Sequence, residues 1–477
     1  MSELPSGWIG VRLGELGNWF GGGTPSKSNA SFWAGDLPWV SPKDMKRAFI
    51  DDTQDKITLA AVQSSATSLI PARSVLIVTR SGILRHSLPV AVNTREVAIS
   101  QDLKALVVAP FAEPEFVAWQ LQSCAQSILA SCAKSGTTVD SVDFDLLRAF
   151  TLSLPPLAEQ RRIVAKLDAL TARTARARAD LDRIPALAAR YKQAVLRMAF
   201  SGELTADWRT EQIALEPVSP RGELDIRVKY RLGGADADFA PPYSVPESWR
   251  WLRLPELGDM DRGKSRHRPR DDARLFGGPF PFVQTGEVRA ADRYLTSYSK
   301  TYSEFGLEQS RLWPAGTVCI TIAANIAETA ILGIDACFPD SVVGFSADSN
   351  RCQPDYVEYF IRTAKADLEQ FAPATAQKNI NLEVLGSVRL PVAPLDEQAE
   401  IIRRIDRAFT EISRMTAEAA AARRLLDRLD QAVLAKAFRG ELVPQDPTDE
   451  PASILLDRIR AERAAAPKAK RGRVAAR

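Results

Sequence analysis

PLAEQRRIVAKLD, from Pro156 to Asp168, returns as PLDEQAEIIRRID, from Pro394 to Asp406. The two copies lie 238 residues apart, and the spacing persists: QAVLRMAFSGEL from Gln193 meets QAVLAKAFRGEL from Gln431. A constant offset means that the blocks align without a gap, so each is a copy of one structural unit. From Leu395 to Arg439 there is no Gly or Pro, and Gly440 stands where a helix C-terminal cap belongs. Gly202 has that place in the first copy. Each block therefore reads as a long helix. Glu159, Gln160, Glu397 and Gln398 are expected to open these helices, where carboxylates suit the dipole.

The apolar steps of the second helix alternate four and three: Ile401, Ile405, Ala408, Ile412, Met415, Ala419, Ala422, Leu426, Leu429, Val433. The first helix offers Ile163, Leu167, Leu170, Thr174, Ala177, Leu181, Ile184, Ala188, Tyr191 and Val195 at the matching positions. Such a heptad seam needs a partner helix, because one narrow stripe alone stays wet. Two like repeats related by a pseudo-two-fold are expected to pair these helices antiparallel. At ~1.5 Å per residue the seam runs about 50 Å and would act as a spacer. A coiled coil that joins two copies of the chain satisfies the same pattern. Pro185 replaces Arg423 of the second copy, and a local kink rather than a stop is expected there.

Outward from the helices the repeat continues. PSGWIGVRLGELG at Pro5–Gly17 meets PESWRWLRLPELG at Pro246–Gly258, at an offset of 241. LPWVSPKDM from Leu37 meets FPFVQTGEV from Phe280, and IPARSVLIVT from Ile70 meets WPAGTVCITI from Trp313, both at 243. Each half is thus a mixed segment followed by a long helix. Val75–Val78, Ala105–Val108 and Val318–Ile322 read as strands, and Pro114–Leu129 and Pro354–Phe371 as helices. The expected fold is α+β: two pseudo-repeated mixed α/β domains, 1–155 and 243–393, separated by a long antiparallel two-helix coiled coil, 156–204 and 394–443. Residues 205–242, with Pro217, Pro220, Gly222, Gly233 and Gly234, read as a linker. Residues 444–477 read as a C-terminal helix and a disordered basic tail.

The chain of 477 residues has the composition of a soluble globular protein, 45% hydrophobic and 25% charged. No apolar run is long enough for a membrane span, and MSELPSGWIG lacks the regions of a signal peptide. The five cysteines form no Cys-x-x-Cys and suit reduced thiols in the cytoplasm. Two histidines, His86 and His267, cannot build a His-based metal cluster. The net charge is only +3, so any positive field for nucleic acid must be local.

Gly258-Asp-Met-Asp-Arg-Gly263-Lys264-Ser265 satisfies the pattern of a phosphate-binding loop. That loop needs a buried strand before it and a helix after it. Pro255 and Pro269 flank it here, and the first half carries Gly17, Gly22, Gly23 and Thr24 in its place, without a lysine. A Gly-rich loop beside DNA is the preferred reading, over nucleotide binding. There is no Asn/Asp-Pro-Pro-Tyr/Phe methyltransferase motif and no nuclease-like carboxylate pair, so catalysis is not expected of this chain.

PLAEQ and PLDEQ opening each helix and QAV…AF-x-GEL closing each, in this order twice, resemble the specificity subunits of type I restriction–modification enzymes. GGGTPS, LPWVSPKDM, GTTVDSVDFDLL and AQKNINLEVL look like pieces of that family's target-recognition domains. The similarity covers nearly all of residues 1–445. It implies two target-recognition domains, each reading one half of a bipartite site on double-stranded DNA. It implies two bound modification (methyltransferase) subunits holding S-adenosylmethionine, and restriction subunits using ATP and Mg. It implies no cofactor on this chain.

Phosphates call for Lys, Arg and loop amides, and base edges for Arg, Lys, Asn, Gln or carboxylates. In the first domain the candidates are Lys43, Lys46, Arg47, Arg80, Arg85 and Lys134; in the second, the cationic run Arg262, Lys264, Arg266, Arg268 and Arg270. Gln377, Lys378 and Asn379 form a further polar cluster, level with Thr137–Thr138 of the first half. Trp8 and Trp249 recur at equal positions and are expected to pack their domains. A coiled-coil scaffold without nucleic acid is the competing reading.

Overall fold

The computed structural model describes residues 4–110, 112–134, 140–222, 239–323, 326–370 and 380–465. It comprises two compact units: Met1–Asp182 with Ala420–Arg477, and Arg183–Ala419.

In the first unit a five-stranded sheet runs in the order Gly17–Gly21, Leu103–Val108, Val75–Val78, Val90–Asn93, Phe49–Ile50. Neighbours are antiparallel except the last pair, which is parallel. Val75–Val78 is buried at all four residues, which is why its sequence is a continuous apolar run rather than an alternating one. The helix Pro114–Ser123 contributes Phe116, Val117 and Leu121 to the same core. A four-stranded sheet, Lys56–Ile57, Leu37–Val40, Val97–Ile99, Leu69–Ile70, carries a small core of its own around Trp39, Ile57, Ala61 and Ala98. Ile9–Arg12 pairs with Thr151–Leu154 and ties the start of the module to the entry of the first long helix.

The second unit repeats this order: Gly258–Arg262, Val342–Ala347, Val318–Thr321, Thr329–Leu332, Tyr294–Leu295, again with the last pair parallel. Arg250–Arg253 pairs with Arg389–Val392 as Ile9–Arg12 does with Thr151–Leu154. Gly17 and Gly258 show why a glycine recurs at the head of the edge strand. A Cβ would lie 2.1 Å from the Val107 carbonyl oxygen in one unit and 2.3 Å from that of Ser346 in the other.

The fold class is the one the sequence indicates, with corrections of detail. The helix expected at Pro114–Leu129 is two, Pro114–Ser123 and Ala125–Cys132. The second long helix, Leu395–Ala437, is unbroken. The first is interrupted at Asp182–Arg183, giving Leu157–Leu181 and Ile184–Ser201 instead of one kinked helix. Proline has no N–H to give, and its ring clashes with the carbonyl of the residue four earlier, here Leu181. In the first turn of a new helix neither matters, and Pro185 sits there.

Within the first unit Ile163 and Leu167 share a core with Ala437, while Arg178 meets Asp427 and Arg423 meets Asp182. Within the second, Lys192 lies over the Phe409 ring and Arg404 donates to the Leu204 carbonyl. In each unit rising numbers on one helix meet falling numbers on the other, so the pairing is antiparallel. Not every seam position is inside: Tyr191, Met415 and Leu429 are exposed. The exposure is local, since Ile412 and Ala419 on either side of Met415 are buried.

The residues opening the long helices do more than suit a dipole, because all four are buried. Gln160 accepts from the Glu113 amide and donates to the Pro155 carbonyl; Gln398 accepts from Gln353 and donates to Ala393 and Arg351. Glu159 accepts from the Trp8 indole at 3.0 Å, and Glu397 from that of Trp249 at 2.8 Å. Trp8 and Trp249 are accordingly buried packing residues. Within 205–242, Ala206–Thr210 is helical, Val218 is buried against the second module, and Arg221 pairs with Asp259 and Asp348.

Candidate nucleic-acid interface

In the first module a cleft of about 770 Å³ opens where three segments meet: the loop at Thr24, the strand end Trp39–Lys43 and the turn Ser100–Asp102. Its aromatic wall is fixed by hydrogen bonds. The Trp39 indole donates to the Gly23 carbonyl at 3.1 Å, and that of Trp33 to Ser26 at 3.2 Å. The two rings meet edge to face at 5.1 Å. The Ser41 turn is closed by Asp44, which accepts from the Ser41 amide and hydroxyl, both at 2.9 Å. Lys43 borders this cleft and a smaller one of about 380 Å³ that adds Lys46 and Arg47.

Arg80 joins the same edge through Asp102, at 2.7 Å. It bridges Ser141, which pairs in turn with Lys134 across a short antiparallel ladder. Arg85 reaches Asp140 at 2.8 Å, and Lys134 reaches Asp143 at 2.6 Å. The ammonium of Lys134 and backbone amides hold the Asp143 carboxyl below its usual range. All six cations named from the sequence of this module thus lie along contiguous segments. Arg80, Arg85 and Lys134 are anchored by carboxylates, and Arg47 only approaches Asp51, at 3.8 Å; Lys43 and Lys46 have no ion-pair partner among the described residues.

The second module has a cleft of about 180 Å³ in the same place, lined by Ser265, Phe282, Gln284 and Ser341. Phe282 stacks on Tyr302 at 4.0 Å, and the Lys300 ammonium lies 5.4 Å from the Phe276 ring. Arg270 donates to both oxygens of Asp340 at 3.1 Å. Upstream, the loop is braced by its backbone. Arg266 donates its amide to Gln309, the Lys264 carbonyl accepts from Ser310, and the Arg268 guanidinium donates to the Ser265 carbonyl. Asp272 accepts from Arg274 and His267, and Arg274 first of all holds its carboxyl far below the carboxylate range. This bracing leaves the side chains of Arg262, Lys264 and Arg266 without a carboxylate partner among the described residues. Gln377, Lys378 and Asn379, with Thr137 and Thr138, lie outside the described residues.

The phosphate-loop pattern fails on geometry. Gly258–Arg262 is itself a strand laddered to Val342–Ala347, and the Gly263 amide donates to Val342. No helix begins behind Lys264; the next helical turn is the three-residue Ala273–Leu275. Gly263 is needed for packing, since a Cβ would lie 2.2 Å from the Phe338 carbonyl oxygen. Among the described residues no group of His, Cys, Asp and Glu is arranged to hold a metal ion, and no helix is long and apolar enough to cross a membrane.

Lys27, Gln101, Gln284 and Lys300 also line these clefts and were not singled out from the sequence. Gln284 was within reach, because it aligns with Ser41 in the 243-residue repeat. Gln101 was not, because the loops before the matching strands share no residues.

A family model described as the type I restriction modification DNA specificity domain matches residues 5–185 and 246–420. The specificity subunit of the Escherichia coli EcoR124I/EcoR124II type I restriction enzyme is 43% identical over 157 residues, 33% of this chain and 39% of that protein. The EcoKI specificity subunit of Escherichia coli strain K12 is 24% identical over 97% of both chains. The crystal structure of the HsdS subunit from Thermoanaerobacter tengcongensis shares the fold, with a TM-score of 0.58 and 22% identity over 92% of this chain and 98% of that one. A chain from a type I R-M system assembly gives a TM-score of 0.64 at 22% identity over 93% and 100%.

Proposed function

The chain belongs to the type I restriction modification DNA specificity family, and from that premise we propose that it reads a bipartite site on double-stranded DNA, one half-site per module, and brings modification subunits to it. The observation that carries this reading is the recurrence of one cleft, built from the same three segments and edged by cations, in both modules. Lys43, Lys46, Arg262, Lys264 and Arg266 supply phosphate contacts that fix register without reading sequence. Side chains in the clefts read the base edges. The role is recognition: S-adenosylmethionine is held by the modification subunits, and ATP and Mg by restriction subunits. Exposed apolar residues on the long helices, Leu187, Tyr191 and Met415 in one unit and Leu425 and Leu429 in the other, support docking of those subunits there.

The test is to co-express the chain with a modification subunit and map methylated positions across a genome. A motif of two fixed sequences around a gap of constant length is expected. Methylation without sequence preference, or none with an assembled complex, would leave the scaffold reading in its place.

A further inference from the structure

The two clefts can be aligned residue by residue through the sheets that carry them. Leu103–Val108 and Val342–Ala347 hold the same place in their sheets. The residue two before each strand is Gln101 in the first module and Asp340 in the second. In the first, the turn is clamped on both sides of that residue. The Ser100 amide donates to Val40 and the Ser100 carbonyl accepts from Leu103, while the Asp102 carbonyl accepts from Thr79 and Arg80. The turn thus presents Gln101 rigidly at the cleft wall, exposed, with both its amide donor and its acceptor unused among the described residues. Arg80 and Lys43 flank it. In the second module Asp340 binds Arg270 through one terminal nitrogen, and the rest of that guanidinium, without a hydrogen-bond partner among the described residues, can donate into its cleft.

We propose that this turn position sets specificity at one base pair in each half-site: Gln101 through its own amide, and Asp340 by aiming Arg270. The inference rests on the reading that the modules bind DNA. A carboxamide offers the donor and acceptor that match N6 and N7 of adenine, and a guanidinium the paired donors that match O6 and N7 of guanine. Gln101 therefore reads an adenine in the first half-site, and Arg270 a guanine in the second. Asp340 is a positioning residue.

The experiment uses the full chain in complex with its modification subunit and a duplex library randomised across both half-sites, comparing Q101A, Q101E and D340N with the unaltered protein. Q101A is expected to lose about tenfold discrimination at one base pair of the first half-site, the second being unchanged. Q101E keeps the shape but gives up the donor, and should move the preference at that pair toward cytosine, whose N4 can donate to a carboxylate. D340N should relax one pair of the second half-site only. Unchanged selection by all three variants, or an equal loss of affinity for every sequence, overturns the inference while leaving the bipartite reading intact. An unaltered complex that selects no sequence overturns both.

Discussion

Trp249 donates its indole N–H to Glu397 at 2.8 Å, and the other oxygen of that carboxylate accepts from Thr205 at 2.8 Å and Arg209 at 2.6 Å. The first module keeps the Trp8–Glu159 bond at 3.0 Å but not the rest. Val443 and Pro447 stand where Thr205 and Arg209 would be, and Arg162 pairs with Asp449 instead. One oxygen of Glu159 is buried without a hydrogen-bond partner among the described residues. Burial accordingly pushes the Glu159 carboxyl up from its usual range, against the Trp8 hydrogen bond and Arg162.

Opposite effects of one substitution follow. E397Q removes the charge paired with Arg209, which is 21% exposed and keeps its bond to the Gly202 carbonyl, and should cost about 2 kcal/mol, less than the ~3–5 of a fully buried pair. At Glu159 the folded state holds its proton more tightly than the unfolded one. The stability Glu159 contributes is greatest below its ordinary carboxyl range and declines as pH rises through the raised value. Glutamine does not titrate, so E159Q should gain on the unaltered protein as pH rises from the ordinary carboxyl range toward neutral. Melting temperatures across that range check this; a gap independent of pH would refute it.

The edge-strand glycines should be irreplaceable in both modules. G17A and G258A drive a methyl against the carbonyl oxygens of Val107 and Ser346, and each should cost about 3 kcal/mol. Gly286, in the helix Thr285–Ala290, has nothing near where a Cβ would stand, and G286A should be neutral or stabilising by up to about 1 kcal/mol. Denaturant titration of the three variants distinguishes them.

Lys46 has no ion-pair partner among the described residues, and Arg47 meets Asp51 only at 3.8 Å with both side chains largely exposed. If they meet phosphates, K46A and R47A should each reduce the slope of log affinity against log salt by about one, equally for specific and unrelated duplexes. A change confined to the specific duplex would instead mark them as readers of bases.

The strand at Gly258–Arg262 leaves Lys264 without a phosphate cradle. The purified chain should show no ATP hydrolysis above background, with or without K264A. Turnover by the chain alone that the substitution removes would reinstate a nucleotide site.

Much was legible in one dimension because the repeat compares the chain with itself. The 238-residue offset located both long helices, the seam called for a partner, and the two-fold relation of the repeats implied antiparallel pairing. The break at Asp182–Arg183 was half visible: Pro185 announced a disturbance, but whether a helix bends or restarts depends on the packing of its flanks. The exposure of Tyr191 and Met415 was hidden because a heptad pattern assigns a stripe without fixing the neighbour it meets.

The sequence by itself determined the double architecture, the helical blocks and the absence of catalytic motifs. These are properties of periodicity and of local backbone demands, which the chain carries wherever it goes. Only the tertiary structure decided that Glu159 and Glu397 are buried acceptors rather than helix-opening surface charges. It also decided that Gly258–Arg262 is a ladder strand rather than part of a Gly-rich loop, and that Thr24, Trp39 and Gln101 share one cleft. Those facts depend on which distant segments meet, and burial and hydrogen-bond partnership exist only once they have met.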